Sequence, residues 1–293
     1  MKLLTLLFAT SASATSLLLP LYSPPGDDGS GWASVQAALS GNPNINATVV
    51  INVSNGPGGS DGPDAGWIAG GSALASLPNV KLAGYVHCSR CQRPAEEVKA
   101  DVAAWAAWRE HGVDVAGIFV DEAPNDGSCA DYMRDLTDHA RGLPSLGGLD
   151  AAVVYNPGFP AAPHSLDAYY ALGPTYVSAL ETCFAAESNG QDLCDGAYEV
   201  YDAAGYGTTV DATLEDWVGV EHYARTAVLV HGFHGSNGMY EADDGATLVG
   251  ALGALVDRGM GAAVFTTNHW LTPDALPADI VAVADSLDMA HSL

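Results

Sequence analysis

Two acidic residues stand side by side where an apolar run ends in the middle of the chain. The stretch GIFVDEAPND places Asp121 and Glu122 directly after the apolar residues 115–120, and Pro124 follows shortly afterwards. A buried charge is costly unless it is paired or used in chemistry. One explanation is structural: such an acid caps a following helix or binds an arginine. The other is a catalytic acid at a strand end.

A second strand-like run, residues 176–180, is followed by another acid, Glu181. Most glycosidases need two carboxyl groups, because one protonates the leaving oxygen while the other stabilises or attacks the anomeric carbon. Asp121 or Glu122, together with Glu181, would supply this pair. The hypothesis requires a fold that brings residues 121 and 181 together.

Eight short apolar runs provide such a fold. Each is apolar at consecutive positions, as expected for strands of a parallel sheet covered on both faces by helices. Segments with helical spacing lie between most of them. The runs are residues 17–22, 48–53, 82–86, 115–120, 151–155, 176–180, 227–230 and 262–266. Eight such units predict an α/β protein with a single-domain (β/α)8 TIM barrel.

Polar or aromatic residues end the predicted strands, and their spacing supports the barrel. Most intervals are 32 to 36 residues, which fits one strand and helix per step. Intervals of 25 and 50 residues predict irregularity around strands five to seven, with a short fifth helix and a long sixth loop. Barrel active sites lie at the carboxyl ends of the strands. We therefore expect one site built from Tyr22, Asn55, His87, Asp121, Asn156, Glu181, His231 and Thr267.

Aromatic residues near the strand ends could stack on sugar rings, and Tyr22, Tyr85 and Trp270 are the candidates. Besides the three acids, the predicted substrate contacts are Tyr22, Asn55, Tyr85, His87, Asn156, His231 and Thr267.

The sequence lacks the motifs of several other enzyme classes. A Schiff-base aldolase needs a lysine inside the barrel, but beyond the leader the only lysines are Lys81, which starts a strand, and Lys99, on a helix. The G-x-S-x-G motif of a nucleophile elbow does not occur. We predict no cofactor and no metal, because the histidines show neither H-x-H nor H-E-x-x-H spacing. A metal-dependent hydrolase is a weaker alternative, with His87, His222, His231 and His234 as its candidate ligands.

The N-terminal sequence and the net charge limit where the protein can be located and which partners it can bind. Residues 1–14 combine one basic residue, a short apolar run and an Ala-Ser-Ala site, which predicts a secretory signal peptide before a barrel domain of residues 15–293. No other stretch is long enough for a membrane span. A net charge of −25 argues against nucleic acid as a partner and favours a neutral or cationic ligand. We expect a secreted protein, either extracellular or associated with the cell wall.

Five cysteines in an exported protein predict disulfides and one unpaired thiol. Cys183 and Cys194 lie in one loop-like stretch and could cross-link it. Cys88 and Cys91 form a C-x-x-C motif, which we interpret as structural, and the pairing with Cys129 is open.

Five sequence blocks, in order, resemble a known family: LLLPLYSPPG, VVINVSNGPGGSDGPD, AGYVHCSR, GIFVDEAPND and VVYNPG. They are similar to the spherulin-4 (spherulation-specific) family of exported fungal and microbial proteins, which is like glycoside hydrolase family 135. The resemblance weakens after Glu181. It implies an endo-acting (β/α)8 glycosidase that cuts α-1,4-linked N-acetylgalactosamine or galactosamine in galactosaminogalactan.

The resemblance also implies roles for the acids. The family's catalytic acids correspond to Asp121, Glu122 and Glu181. Similarity to a related galactosaminidase group makes Asp121 the nucleophile and Glu181 the acid/base of a retaining mechanism, and Glu122 could exchange roles with Asp121. The alternative function is a cell-wall or spore-coat protein that binds polysaccharide without cutting it, because fold alone does not determine activity.

Overall fold

The computed structural model describes residues 14–59, 62–184, 187–188, 191–192, 201, 214–233, 244–267 and 279–292. At its centre eight parallel strands close into a barrel. In chain order they are β1 (Ser16–Leu21), β2 (Ala47–Ile51), β3 (Val80–His87), β4 (Val115–Asp121), β5 (Ala152–Tyr155), β6 (Tyr176–Cys183), β7 (Thr226–His231) and β8 (Ala262–Phe265). The predicted (β/α)8 barrel and its eight strands are confirmed.

Each strand pairs with its neighbours in sequence, and β8 closes the ring against β1. Ser16 of β1 lies opposite Ala262, while Leu17 lies opposite both Ala263 and Ala47 of β2. Every residue of β2, β5, β7 and β8 is buried. This burial on both faces explains the runs of consecutive apolar residues. Because all the strands are parallel, their carboxyl ends lie at one rim.

Helices surround the barrel. They are α1 (Ala33–Gly41), α2 (Ala65–Ala75), α3 (Ala95–Ala107), α4 (Ala130–Arg141), α5 (Asp167–Tyr170), α6 (Asp244–Asp257) and α7 (Ile280–Ser292). The fifth helix has only four residues, as the short interval between strands five and six predicted. Within the long connection from β6 to β7, Glu187–Ser188 pairs with Gln191–Asp192 in a small antiparallel ribbon. The rest of the predicted loop wall lies largely outside the described residues.

The packing of α3 on β3 fixes the position of Tyr85. Gly84 faces the indole of Trp105, and a Cβ at residue 84 would lie 2.3 Å from that ring. The indole Nε1 donates a hydrogen bond of 2.8 Å to the carbonyl oxygen of Tyr85. The absence of a side chain at residue 84 therefore lets the helix approach the strand and hold the residue next to it.

Several sequence predictions fall at or beyond the edges of the described chain. Residues 1–13 of the predicted signal peptide lie outside it, and β1 begins two residues after the predicted cleavage position at Ala14. In the part of the chain that the structure describes, no helix is long and apolar enough to cross a membrane. Trp270, His234 and Cys194 also lie outside the described residues, so the pairing of Cys183 with Cys194 stays a prediction.

Candidate active site

A cavity of about 1070 Å³ opens at the rim formed by the carboxyl ends of the strands. Its walls come from residues that are far apart in sequence but follow successive strands. Eight of the predicted site residues line it: Tyr22, Asn55, Tyr85, Asp121, Glu122, Asn156, Glu181 and His231. The barrel topology therefore gathers most of the predicted set around one space.

Asp121, the last residue of β4, is held by neutral donors on both oxygens. The hydroxyl of Tyr85 donates to Oδ2 at 2.7 Å, and Nδ2 of Asn156 donates to Oδ1 at 2.8 Å. Tyr85 comes from the neighbouring strand β3, and Asn156 directly follows β5. Strand pairing on either side of β4 thus positions both donors.

Asn156 also joins Asp121 to the second acid. The same Nδ2 atom donates to Oε2 of Glu181 at 2.9 Å. Because one nitrogen bonds to both carboxyl groups at 2.8 and 2.9 Å, the two accepting oxygens lie at most about 5.7 Å apart. The acids of β4 and β6 therefore share one small region of the cavity.

Glu181 differs from Asp121 in having a partner that can carry positive charge. Nε2 of His231, at the end of β7, lies 2.8 Å from Oε1 of Glu181, and the side chains are only 10% and 14% exposed, respectively. The pairing of β6 with β7 sets Cys183 opposite His231, two residues beyond the acid. A histidine shielded from water in this way stabilises the ionised carboxylate through its hydrogen bond and, when protonated, through its charge.

These surroundings separate the acidities of the two carboxyl groups. Burial, and then the negative charge of Glu181, raise the pKa of Asp121 to about 6, although the hydrogen bonds from Tyr85 and Asn156 limit the rise. Burial alone would also raise the pKa of Glu181, but the hydrogen bond and charge of His231, with help from Asn156, hold that pKa below its ordinary value. The pKa of Asp121 therefore lies above that of Glu181, so Asp121 is the first of the two acids to bind a proton as the pH falls.

Two tyrosines remain protonated beside the acids. Burial, followed by the charge of Asp121, raises the pKa of Tyr22 and of Tyr85 well above the ordinary tyrosine value. The two rings meet edge to face with their centroids 5.5 Å apart. Tyr22 and Tyr85 thus form a neutral, aromatic side of the site.

Glu122 has a different environment from its neighbour. Its φ of 56° places its backbone in the left-handed region, which residues other than glycine rarely adopt. Its side chain is 50% exposed on the cavity wall, and Oε2 lies 3.9 Å from Nδ1 of His87. Its carbonyl oxygen accepts hydrogen bonds from the backbone of Arg90 at 2.9 Å and from the thiol of Cys88 at 3.3 Å. Strain of this kind is often stored at functional sites.

Two predicted substrate contacts lie beside the cavity rather than in its wall. His87 is bound to Ser89 through a 3.0 Å contact between Nδ1 and Oγ. The backbone NH and hydroxyl of Thr267 donate to Oδ1 of Asp279 at 3.1 and 3.2 Å. Neither residue belongs to the lining of the described cavity. The position of these residues at strand ends correctly predicted the rim at which they lie. It could not predict which groups their side chains bond to.

Sequence reasoning did not single out several residues of the wall. Phe159, which is 39% exposed, lines the cavity two residues after Pro157. The sequence feature that could have identified Phe159 is its aromatic side chain in the loop after β5, next to a predicted strand end. Arg90 lies in the turn after β3 and brings a positive charge to a wall that also carries four acidic residues. Among the described residues, no group of three or more His, Cys, Asp or Glu side chains is arranged to hold a metal ion.

Comparison with known proteins agrees with this architecture. The profile of the spherulation-specific family 4 matches residues 16–275, which is most of the chain. The chain belongs to this family. It is 34% identical to Spherulin-4 of Physarum polycephalum over 134 residues, which cover 45% of this chain and 37% of that relative. The match thus spans little more than a third of the relative's length.

Solved structures share the fold. Sph3 of Aspergillus clavatus, determined in complex with GalNAc, aligns over 94% of this chain and 98% of its own, with a TM-score of 0.70 and 24% identity. A trimodular endoglucanase of the GH5_4 subfamily aligns over 94% of this chain and 60% of its own, with a TM-score of 0.52 and 10% identity. At these identities the likeness establishes a common barrel.

Proposed function

We propose that this member of spherulation-specific family 4 is a glycoside hydrolase that cleaves O-glycosidic bonds in an amino-sugar polysaccharide. One observation carries the proposal: Asn156 bridges the carboxyl groups of Asp121 and Glu181 inside a large cavity at the catalytic rim of a barrel. A pair of carboxyl groups flanking the scissile bond is the common equipment of glycosidases.

The short separation of the two acids supports a retaining mechanism. Retaining glycosidases have carboxyl groups roughly 5–5.5 Å apart, whereas inverting enzymes leave about 6.5–9.5 Å for a water molecule. The Asn156 bridge limits the accepting oxygens to about 5.7 Å. One acid then attacks the anomeric carbon, and water later hydrolyses the glycosyl-enzyme intermediate.

The partners of the acids divide their roles. Glu181, paired with His231, acts as the ionised nucleophile. Asp121, with neutral donors and a raised pKa, protonates the leaving oxygen and afterwards accepts a proton from the attacking water. This division is the reverse of the roles that the family resemblance implied. Its physical basis is that the carboxyl group beside a cation ionises first.

We assign α-1,4-linked N-acetylgalactosamine or galactosamine, as in galactosaminogalactan, as the substrate class. Family membership and the GalNAc bound to the similarly folded Sph3 support this assignment. The chain's charge of −25, and the exposed carboxylate of Glu122 on the wall, favour a polymer with free amines. A cavity of about 1070 Å³ is at the upper end of ordinary ligand pockets, which supports endo-acting cleavage of a long chain.

The decisive experiment is incubation of the purified protein with galactosaminogalactan, followed by mass spectrometry of the soluble products. We expect shortened oligosaccharides from the wild type and none from Asp121→Asn or Glu181→Gln. Asp131→Asn is the matched control, because that side chain is fully exposed on α4. Circular dichroism establishes that each variant is folded. Full activity in either site variant would disprove the mechanism.

The alternative functions give different outcomes in the same assay. A polysaccharide-binding coat protein would retain the polymer in a pull-down without shortening it. A metal-dependent hydrolase would lose activity after treatment with a chelator. For the retaining mechanism, NMR of the fresh product should show the anomer of the original linkage. Export would be supported by a mature protein whose N-terminal sequence begins at Thr15.

A further inference from the structure

One arginine on the cavity wall is left without a partner. Arg90 lies in the turn after β3, is exposed and lines the cavity. Its guanidinium makes no hydrogen bond, ion pair or ring contact with any other described residue. Every other arginine of the described chain pairs with a carboxylate or donates to a backbone carbonyl oxygen: Arg93, Arg109, Arg134, Arg141, Arg225 and Arg258. Within the described ranges, Arg90 is therefore the arginine whose donors are left for a ligand.

Exposure alone does not explain this isolation. Arg109 and Arg134 are 52% and 58% exposed, and each still has a carboxylate oxygen nearby, at 3.2 and 4.0 Å. Arg90 also has an acidic neighbour, because its backbone NH donates to the carbonyl oxygen of Glu122 at 2.9 Å. The two side chains nevertheless form no ion pair, and Oε2 of Glu122 lies 3.9 Å from Nδ1 of His87 instead. Both charges therefore remain open to the cavity.

The backbone of the turn that carries Arg90 is fixed on both sides. Residues 89–91 have φ angles of 49°, 53° and 60°, so three consecutive residues that are not glycine lie in the left-handed region. The NH of Arg93 donates to the carbonyl oxygen of Cys88 at 3.3 Å, and its guanidinium forms a 2.7 Å ion pair with Asp101 of α3. Such strain persists only where the surroundings constrain it. The turn thus holds Arg90 at a defined place on the wall, although its side chain is unpaired.

The charges around Arg90 limit which ligand group it can take. Four acidic residues line the same cavity: Asp121, Glu122, Asp126 and Glu181. They repel an anionic polymer, which disfavours a uronic acid or a sulfated sugar. The guanidinium itself repels the ammonium group of a deacetylated sugar. A neutral group with a strong acceptor oxygen meets both conditions, and on an amino-sugar chain that group is the acetamide, whose carbonyl oxygen can accept from the guanidinium donors.

We infer that Arg90 is a specificity-determining residue that binds the acetamide carbonyl of an N-acetylated unit and rejects a free amine at the same position. The inference deepens the proposed function and rests on the substrate class assigned there. Glu122, on the adjacent part of the wall, favours a free amine. Opposite charges side by side thus favour a chain that carries both N-acetylated and free-amine units over a chain of either kind alone.

Binding measurements test this inference without requiring cleavage. The Asp121→Asn protein, which leaves the substrate intact, is titrated calorimetrically with α-1,4-linked tetramers of N-acetylgalactosamine, of galactosamine and of galacturonic acid. The titrations are run at a pH where the free amines are protonated, and are repeated after adding Arg90→Met, which removes the charge and every donor at similar length. A hydrogen bond from a charged donor changes an affinity by roughly tenfold or more. Arg90→Met should weaken binding of the acetylated tetramer by about this factor, and should leave binding of the galactosamine tetramer unchanged or make it tighter.

Arg90→Lys separates the two effects of the guanidinium. Lysine keeps the positive charge, so the galactosamine tetramer should bind as it does with arginine in place. Because lysine lacks the planar fork of donors, the affinity for the acetylated tetramer should lie between those of the arginine and methionine proteins. Arg134→Met is the matched control, since Arg134 is exposed on α4 and does not line the cavity, and it should change neither affinity.

Several outcomes would overturn the inference. They are an acetylated tetramer that does not bind, an Arg90→Met protein that binds both amino-sugar tetramers as before, and an equal loss of affinity for both. A galacturonic acid tetramer that binds more tightly than the acetylated one, and is lost in Arg90→Met, would show that Arg90 takes an anionic sugar instead. Arg90→Lys decides the matter if Arg90→Met does not fold. A wild-type protein that cleaves none of the amino-sugar substrates would disprove the hydrolase function, while the binding comparison would still decide the role of Arg90.

Discussion

Replacing Tyr85 by phenylalanine should remove one hydrogen bond from Asp121 while leaving the aromatic ring in place. Tyr85 is 5% exposed, and its ring packs against Phe119 and Tyr22 with centroid distances of 6.3 and 5.5 Å. Phenylalanine fills the same space. The contact that is lost is the 2.7 Å bond from the hydroxyl to Oδ2 of Asp121.

The expected shift follows from the strength of that bond. A hydrogen bond to a charged group contributes about 1.5–3 kcal/mol, and one pKa unit corresponds to about 1.36 kcal/mol. The bond favours the ionised form of Asp121, so its loss should raise the pKa of that group from about 6 by roughly one to two units. If Asp121 is the general acid, the alkaline limb of the pH profile moves upward by this amount.

The assay is kcat/KM for soluble galactosamine oligosaccharides across the pH range, because this parameter reports the groups of the free enzyme. Tyr169→Phe is the matched control. Tyr169 is fully buried, and its hydroxyl has no hydrogen-bond partner in the part of the chain that the structure describes. Its pH profile should equal that of the wild type.

Two results would refute the reasoning. An upward shift of the acidic limb, with the alkaline limb unchanged, would mean that Asp121 must be ionised and is the nucleophile. A folded Tyr85→Phe variant with both limbs unchanged would mean that the hydroxyl does not bind Asp121 in the working enzyme.

Three further predictions address the same residues and the barrel. Asp121 has a folded pKa of about 6 against 3.8 for the free group, so its contribution to stability is full below about pH 4 and declines as the pH rises through 6. Asp121→Asn should therefore raise the free energy of unfolding at pH 8 by up to about 3 kcal/mol. The melting temperature should rise at pH 8 but not at pH 4. His231→Ala should raise the pKa of Glu181 and shift the acidic limb of activity upward, and His231→Gln, which keeps a donor, should shift it less. In urea titrations Gly84→Ala should cost about 1–3 kcal/mol through overpacking, whereas Gly41→Ala, with nothing within 4 Å of its Cβ, should be tolerated.

The fold could be predicted in some detail because its signal is local and repeated. Each strand must be apolar on both faces, so the runs appear in the sequence without knowledge of their neighbours. The strand-end positions of Asp121 and Glu181 then followed from the parallel arrangement, which brings every carboxyl end to one rim. The same argument placed Asn156 and His231 near them.

Side-chain partners were less accessible to this reasoning. His87 ends a strand and Thr267 follows one, yet His87 bonds to Ser89 and Thr267 bonds to Asp279, and neither lines the cavity. The cysteines of the C-x-x-C motif were interpreted as structural with their pairing open, and the structure has both as free thiols, with Cys91 in the left-handed region. Strand spacing determines a residue's height on the barrel but not the direction of its hydrogen bonds.

The sequence by itself determined the barrel, the rim and the acids that stand there, because hydrophobic periodicity and strand-end chemistry are properties of short segments. Only the tertiary structure decided which acid has the raised pKa. The amide of Asn156 bridges the two carboxyl groups, and His231 pairs with just one of them. Acidity depends on burial and on charges within a few ångströms, and those neighbours come from four different strands or their ends.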